Sequence, residues 1–113
     1  RRIGEVAKLF AEAGILVITA FISPYKQDRD RIRTIAGDVF HEVFIEADLS
    51  ICENRDPKGL YIKARKGEIS DFTGISAPYE QPTNPELIID TGNQDIGEST
   101  TKLLSYIDEK FRI

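Results

Sequence analysis

The sequence predicts an α/β domain built on a parallel sheet. Three observations carry that prediction. Helical and strand patterns alternate along the chain, which argues a parallel sheet with helices on both faces. The first strand-like run is continuous and β-branched, as in strands buried on both faces. A polar stretch of about thirty residues interrupts the alternation, too long for an ordinary connection and of the kind that carries function.

The elements follow in order. Ile3, Val6, Ala7, Phe10 and Ala13 recur at helical spacing, and Gly14 is a natural stop. Ile15 to Phe21 reads as a buried strand ended by Ser23-Pro24, because proline lacks the ladder donor. Asp28 to Ala36 is charged, with Ile32 and Ile35 on one side, and reads as a solvated helix closed by Gly37. Val39 to Ile45 is a second strand, with His41 near its start. Asp48 caps a helix from Leu49 to about Arg55. The polar insert, residues 56–85, carries Pro57, Pro78, Pro82, Pro85, Gly59, Gly67 and Gly74, with a short basic helix from Leu60 to Lys66 inside it. Leu87 to Asp90 is a third strand. Ile96, Thr100, Leu103, Leu104, Ile107 and Phe111 mark a final amphipathic helix.

Composition narrows the function classes. Hydrophobic residues are 41% and charged residues 30%, an ordinary globular balance. A net charge of −4 argues against a general nucleic-acid binder. The longest apolar run, Ile15 to Ile22, is too short to span a membrane. The single cysteine, Cys52, permits no internal disulfide and suits a cytoplasmic setting. His41 and Cys52 have no second His or Cys at metal-ligand spacing, so both read as structural and no metal site is expected.

In open parallel sheets, ligands bind beyond the carboxyl ends of the strands. Ser23, Asp48 and the segment Thr91-Gly92-Asn93 stand at such ends. The insert folds over the same edge as a lid, carrying Lys58, Lys63, Arg65 and Lys66. Cations there suit an anionic ligand such as a phosphate ester, or are simply a solvated basic helix.

Specific motifs sharpen this. Phe21-Ile22-Ser23-Pro24-Tyr25, Arg55-Asp56-Pro57-Lys58-Gly59-Leu60-Tyr61, Lys63-Ala64-Arg65 and Gly67-Glu68-Ile69 occur in that order. Phe72-Thr73-Gly74-Ile75, Pro78-Tyr79-Glu80 and Pro85-Glu86-Leu87 follow, and Arg1 to Ala7 opens the chain. Together they resemble adenylylsulfate kinases (APS kinases) over essentially all 113 residues. The resemblance implies a P-loop-kinase-like fold and transfer of the γ-phosphoryl group of ATP, with Mg2+, to the 3′-hydroxyl of adenylyl sulfate. The product is 3′-phosphoadenylyl sulfate. It also implies a homodimer, and a fusion to ATP sulfurylase is one arrangement compatible with it. Neither nucleic acid nor a membrane is implied as a partner.

Site residues carry over by position. Ser23 matches the position the family is assigned as a phosphoserine intermediate. A serine needs an adjacent base to become a nucleophile, and the segment offers none, so a hydrogen bond to substrate is the simpler reading. Ile22 lies against the substrate beside it. Phe72 matches an adenine-stacking lid phenylalanine, Asp71 contacts substrate through its backbone, and Lys58 offsets phosphate or sulfate charge. Arg65, Thr91 and Gln94 are assigned to ATP.

A P-loop enzyme needs G-x-x-x-x-G-K-[ST], whose amides and lysine hold the phosphates. The run Gly92 to Ser99 shares only glycines with it and has Glu98 where lysine is required. The sequence contains no methionine, and its first helix lacks an N-cap. The expectation is that residues 1–113 are the C-terminal part of one adenylylsulfate kinase domain, inactive alone. The phosphate loop and N-terminal strand or strands would then lie upstream, with the family's Asp-Gly-Asp segment. The rival reading is a regulatory kinase-like domain that binds 3′-phosphoadenylyl sulfate without transferring phosphate.

Overall fold

The computed structural model describes residues 1–112. The order is α1 (Arg2–Glu12), α2 (Lys26–Ala36), a single 3-10 turn at Gly37–Val39, β1 (Val43–Glu46), α3 (Leu49–Arg55), α4 (Leu60–Arg65), β2 (Leu87–Asp90) and α5 (Ile96–Lys110). β1 and β2 pair in parallel, with Val43 opposite Leu87 and Glu46 opposite Asp90. Phe44 and Ile89, on this ladder, and Ala64 in α4 are the buried apolar side chains among the described residues. The α/β class with a parallel sheet is as the sequence predicts.

Most helices form where their patterns place them. Gly37 adopts φ 66° and terminates α2. Asp95 caps α5, its carboxylate accepting from the Glu98 amide at 2.8 Å. Asp48 stands at the N-cap of α3, but its side chain makes no capping bond. α1 packs on α2 through Gly4: a Cβ there would lie 2.4 Å from Ile32 Cδ1, so the missing side chain is what lets the two helices approach.

Two strand predictions need correction. Ile15 to Phe21 is not a strand. A strand exists through its hydrogen-bonded neighbour, and among the described residues β1 pairs only with β2. The run is left without a ladder, with Ile18 and Ile22 about 70% exposed. The second strand is shorter than Val39 to Ile45. Residues 37–39 form the 3-10 turn and the ladder begins at Val43, where β2 first supplies a partner. His41 therefore precedes β1 rather than beginning it.

Candidate functional site

β1 and β2 end together, and a short loop follows each. After β2, Asp90 shapes the turn. Its Oδ1 accepts from the amides of Gly92 (3.1 Å) and Asn93 (3.2 Å), and its Oδ2 from Asn93 Nδ2 (2.7 Å). The Asn93 side-chain bond is the main reason its carboxyl sits below the usual range, with the two amides adding to it against desolvation. Thr91 ties the strand ends: its amide and hydroxyl both donate to the Glu46 carbonyl. Arg55, at the end of α3, donates to the Thr91 carbonyl. Gln94 Oε1 is buried without a hydrogen-bond partner.

The insert starts at Asp56. Its carboxylate accepts from the amides of Tyr61 (3.0 Å) and Ile62 (3.1 Å), satisfying two free donors of α4. This bond sets the α3–α4 turn, with Gly59 in the left-handed region and Lys58 exposed at the tip. Within the lid, Phe72 meets Tyr61 edge to face, ring centres 5.0 Å apart. The Phe72 carbonyl accepts from the amides of Ile75, Ser76 and Ala77, and its own amide donates to Ser76 Oγ. Asp71 precedes it at φ 52°. The Arg65 guanidinium forms a two-point pair with Glu53 of α3. That pairing first, and the charge of Glu53 second, raises the Arg65 pKa. Lys58, Lys63 and Lys66 make no ion pair among the described residues, leaving three free lid cations.

The insert returns to the Ser23 turn. The Glu80 amide donates to the Pro24 carbonyl at 2.8 Å. Its carboxylate accepts from the Lys26 amide at 2.7 Å. Arg29 of α2, buried at 8% exposure, donates to the carbonyls of both Ser23 (2.6 Å) and Glu80 (2.5 Å). Ser23 itself is exposed at φ 44°, a conformation uncommon outside glycine.

The structure thus joins the Ser23 turn to the lid's far end and the strand-end loops to each other. It makes no hydrogen bond or ion pair from Ser23 to Lys58, Asp71 or Phe72 among the described residues. Arg29, Asp56 and Glu80 were not anticipated. Asp56 carried a signal, standing just before a short helix. Arg29 carried none, because α2 reads as a solvated helix and nothing in its charge pattern marks one arginine as buried.

A family model described as adenylylsulphate kinase matches residues 1–90. The chain belongs to the adenylylsulphate kinase family. It is 60% identical over 112 residues to the adenylyl-sulfate kinase of Bacillus pumilus and 57% identical over 111 residues to that of Oceanobacillus iheyensis. Each match covers 97% of this chain and 56% of the relative. The solved APS kinase CysC of Mycobacterium tuberculosis, in complex with AMPPNP and APS, superposes with a TM-score of 0.84 at 42% identity. That match covers 95% of this chain and 63% of the solved one. The chain therefore spans little more than half the length of its curated relatives. The family's fold, with its parallel sheet, is that of P-loop kinases, in agreement with the class predicted from sequence.

Proposed function

We propose that these residues are the acceptor-binding and lid half of an enzyme that phosphorylates the 3′-hydroxyl of adenylyl sulfate at the expense of MgATP. One observation carries the reading. The segment holding Ser23 and the lid holding Lys58 and Phe72 are bonded through Glu80 and Arg29 into one unit. Family membership and the likeness to a solved relative holding AMPPNP and APS support it.

In this reading the Ser23 hydroxyl, which makes no hydrogen bond among the described residues, bonds the acceptor, with Ile22 against its face. Phe72 stacks on the acceptor adenine, from a half-buried position set by its T-shaped contact with Tyr61. Asp71 presents its backbone, and Lys58 offsets phosphate or sulfate charge. Thr91 and Gln94 border the ATP adenine. Arg65 reaches the ATP phosphates only by leaving Glu53. Phosphoryl transfer needs positioning and charge neutralisation above all, and the 113 residues contain no G-x-x-x-x-G-K-[ST]. They bind acceptor without transferring phosphate, and the whole protein, a cytoplasmic enzyme, transfers it.

The test is an ATP-dependent phosphorylation assay on adenylyl sulfate with the 113-residue chain and the whole protein side by side. Product from the whole protein alone is expected. Product from the short chain refutes the division of labour. Tight binding of 3′-phosphoadenylyl sulfate by the whole protein, with no phosphorylation, refutes the catalytic reading.

A further inference from the structure

Arg29 has an environment that the proposed chemistry does not use. Its side chain is 9% exposed and its charge faces Glu42, Nε lying 3.4 Å from Glu42 Oε2 without an aligned hydrogen bond. Its two terminal nitrogens go to carbonyls from segments far apart in sequence, Ser23 and Glu80. The guanidinium also lies 6.0 Å from the Tyr79 ring centre. Glu80 completes the loop through its bonds to Pro24 and Lys26. Burying an ion pair is seldom the best route to stability, since apolar residues of similar volume often do as well or better. What a guanidinium supplies here is a rigid planar fork whose two terminal nitrogens reach one carbonyl each, a fixed geometry that the single flexible ammonium of a lysine does not reproduce.

We propose that Arg29 is a positioning residue for the acceptor site. It holds the Ser23 turn in its left-handed conformation and locks that turn to the returning end of the lid. The Ser23 carbonyl is fixed while its hydroxyl stays free for the acceptor. Acceptor recognition and lid anchorage thereby depend on one buried side chain. ATP, assigned to the Thr91 loop and the other end of the lid, does not depend on it.

This rests on the acceptor-site reading above, so the test has an arm that does not. In the whole protein, Arg29→Lys and Arg29→Met are compared with Arg31→Lys, a control at an exposed position of the same helix. Loss of the charge-assisted bonds is expected to raise the KM for adenylyl sulfate by about tenfold or more, leaving the KM for ATP within about twofold. Amide exchange at Lys26 and Glu80 is expected to accelerate by about tenfold or more, while that of Thr91, bonded to the Glu46 carbonyl just beyond the ladder, holds. Unchanged acceptor KM in both variants overturns the proposal. So does a parallel rise in both KM values, which marks a merely structural role. If the unmodified protein does not phosphorylate adenylyl sulfate, the acceptor reading fails by itself, and exchange decides the clasp. Faster exchange confined to Lys26 and Glu80 upholds it, and unchanged or uniformly faster exchange refutes it.

Discussion

Ser23 shows how backbone and side chain divide their work. Its φ of 44° is sustained by Arg29 on its carbonyl, and strained positions of this kind tend to mark functional sites. Its hydroxyl hydrogen-bonds no base among the described residues. The one histidine, His41, is engaged elsewhere, its Nδ1 lying 2.6 Å from Tyr106 Oη. A hydroxyl that only bonds the acceptor has a bounded effect. Ser23→Ala in the whole protein is expected to lower kcat/KM by about 10- to 100-fold, the worth of a hydrogen bond to a charged group. Total loss, together with a phosphate trapped on Ser23 by mass spectrometry, would favour a covalent intermediate instead. Ser23 stands out in the sequence because its motif marks it. Arg29 does not, since burial of a charged side chain depends on what packs against it from distant segments.

At the scale of elements, the α1–α2 contact turns on the absence of a side chain. Gly4 is buried, and the Ile32 δ-methyl occupies the space its Cβ would need. An alanine there meets only the end of a flexible side chain, so its clash is offset by better helix propensity. A leucine cannot be absorbed in that way. Gly4→Leu is expected to destabilise by about 1–3 kcal/mol in urea unfolding, the usual cost of overpacking. The helices were legible from periodicity and stops. The run from Ile15 to Phe21 misled for a physical reason. Its composition is that of a buried strand, yet composition supplies no hydrogen-bonded neighbour, and none pairs with it among the described residues.

Across the whole molecule, the radius of gyration is 15.7 Å, against about 13 Å for a compact chain of this length. Large apolar side chains in α1, in the Ile15–Ile22 run and on the sheet remain exposed, Ile45 and Ile88 among them. Arg33 of α2 pairs with Glu42 and Glu86, joining the helix to the residues just before both strands. Burial pushes the Glu86 carboxyl up, but the Arg33 hydrogen bond, the Glu42 amide and nearby positive charge together hold it below its ordinary value of 4.5. A depressed carboxylate stabilises the fold fully above that value and loses its contribution as pH falls through the lower folded-state pKa. Urea midpoints are therefore expected to hold from neutral pH to about 4.5 and then fall. Glu86→Gln is expected to lower the neutral-pH midpoint and flatten the acid decline. An equally steep decline in the variant would assign the effect to other carboxylates.

The sequence by itself determined the alternating α/β order, the helix stops and the family motifs, because each depends on residues close together in the chain. Periodicity, capping glycines and prolines act over a few positions and need no partner. Tertiary structure alone decided which apolar run becomes a strand, which arginine is buried, and that the insert returns to the Ser23 turn through Glu80 and Arg29. Those outcomes rest on burial and on hydrogen bonds between distant segments, such as that from the Glu80 amide to the Pro24 carbonyl, and no local pattern specifies a partner at that distance.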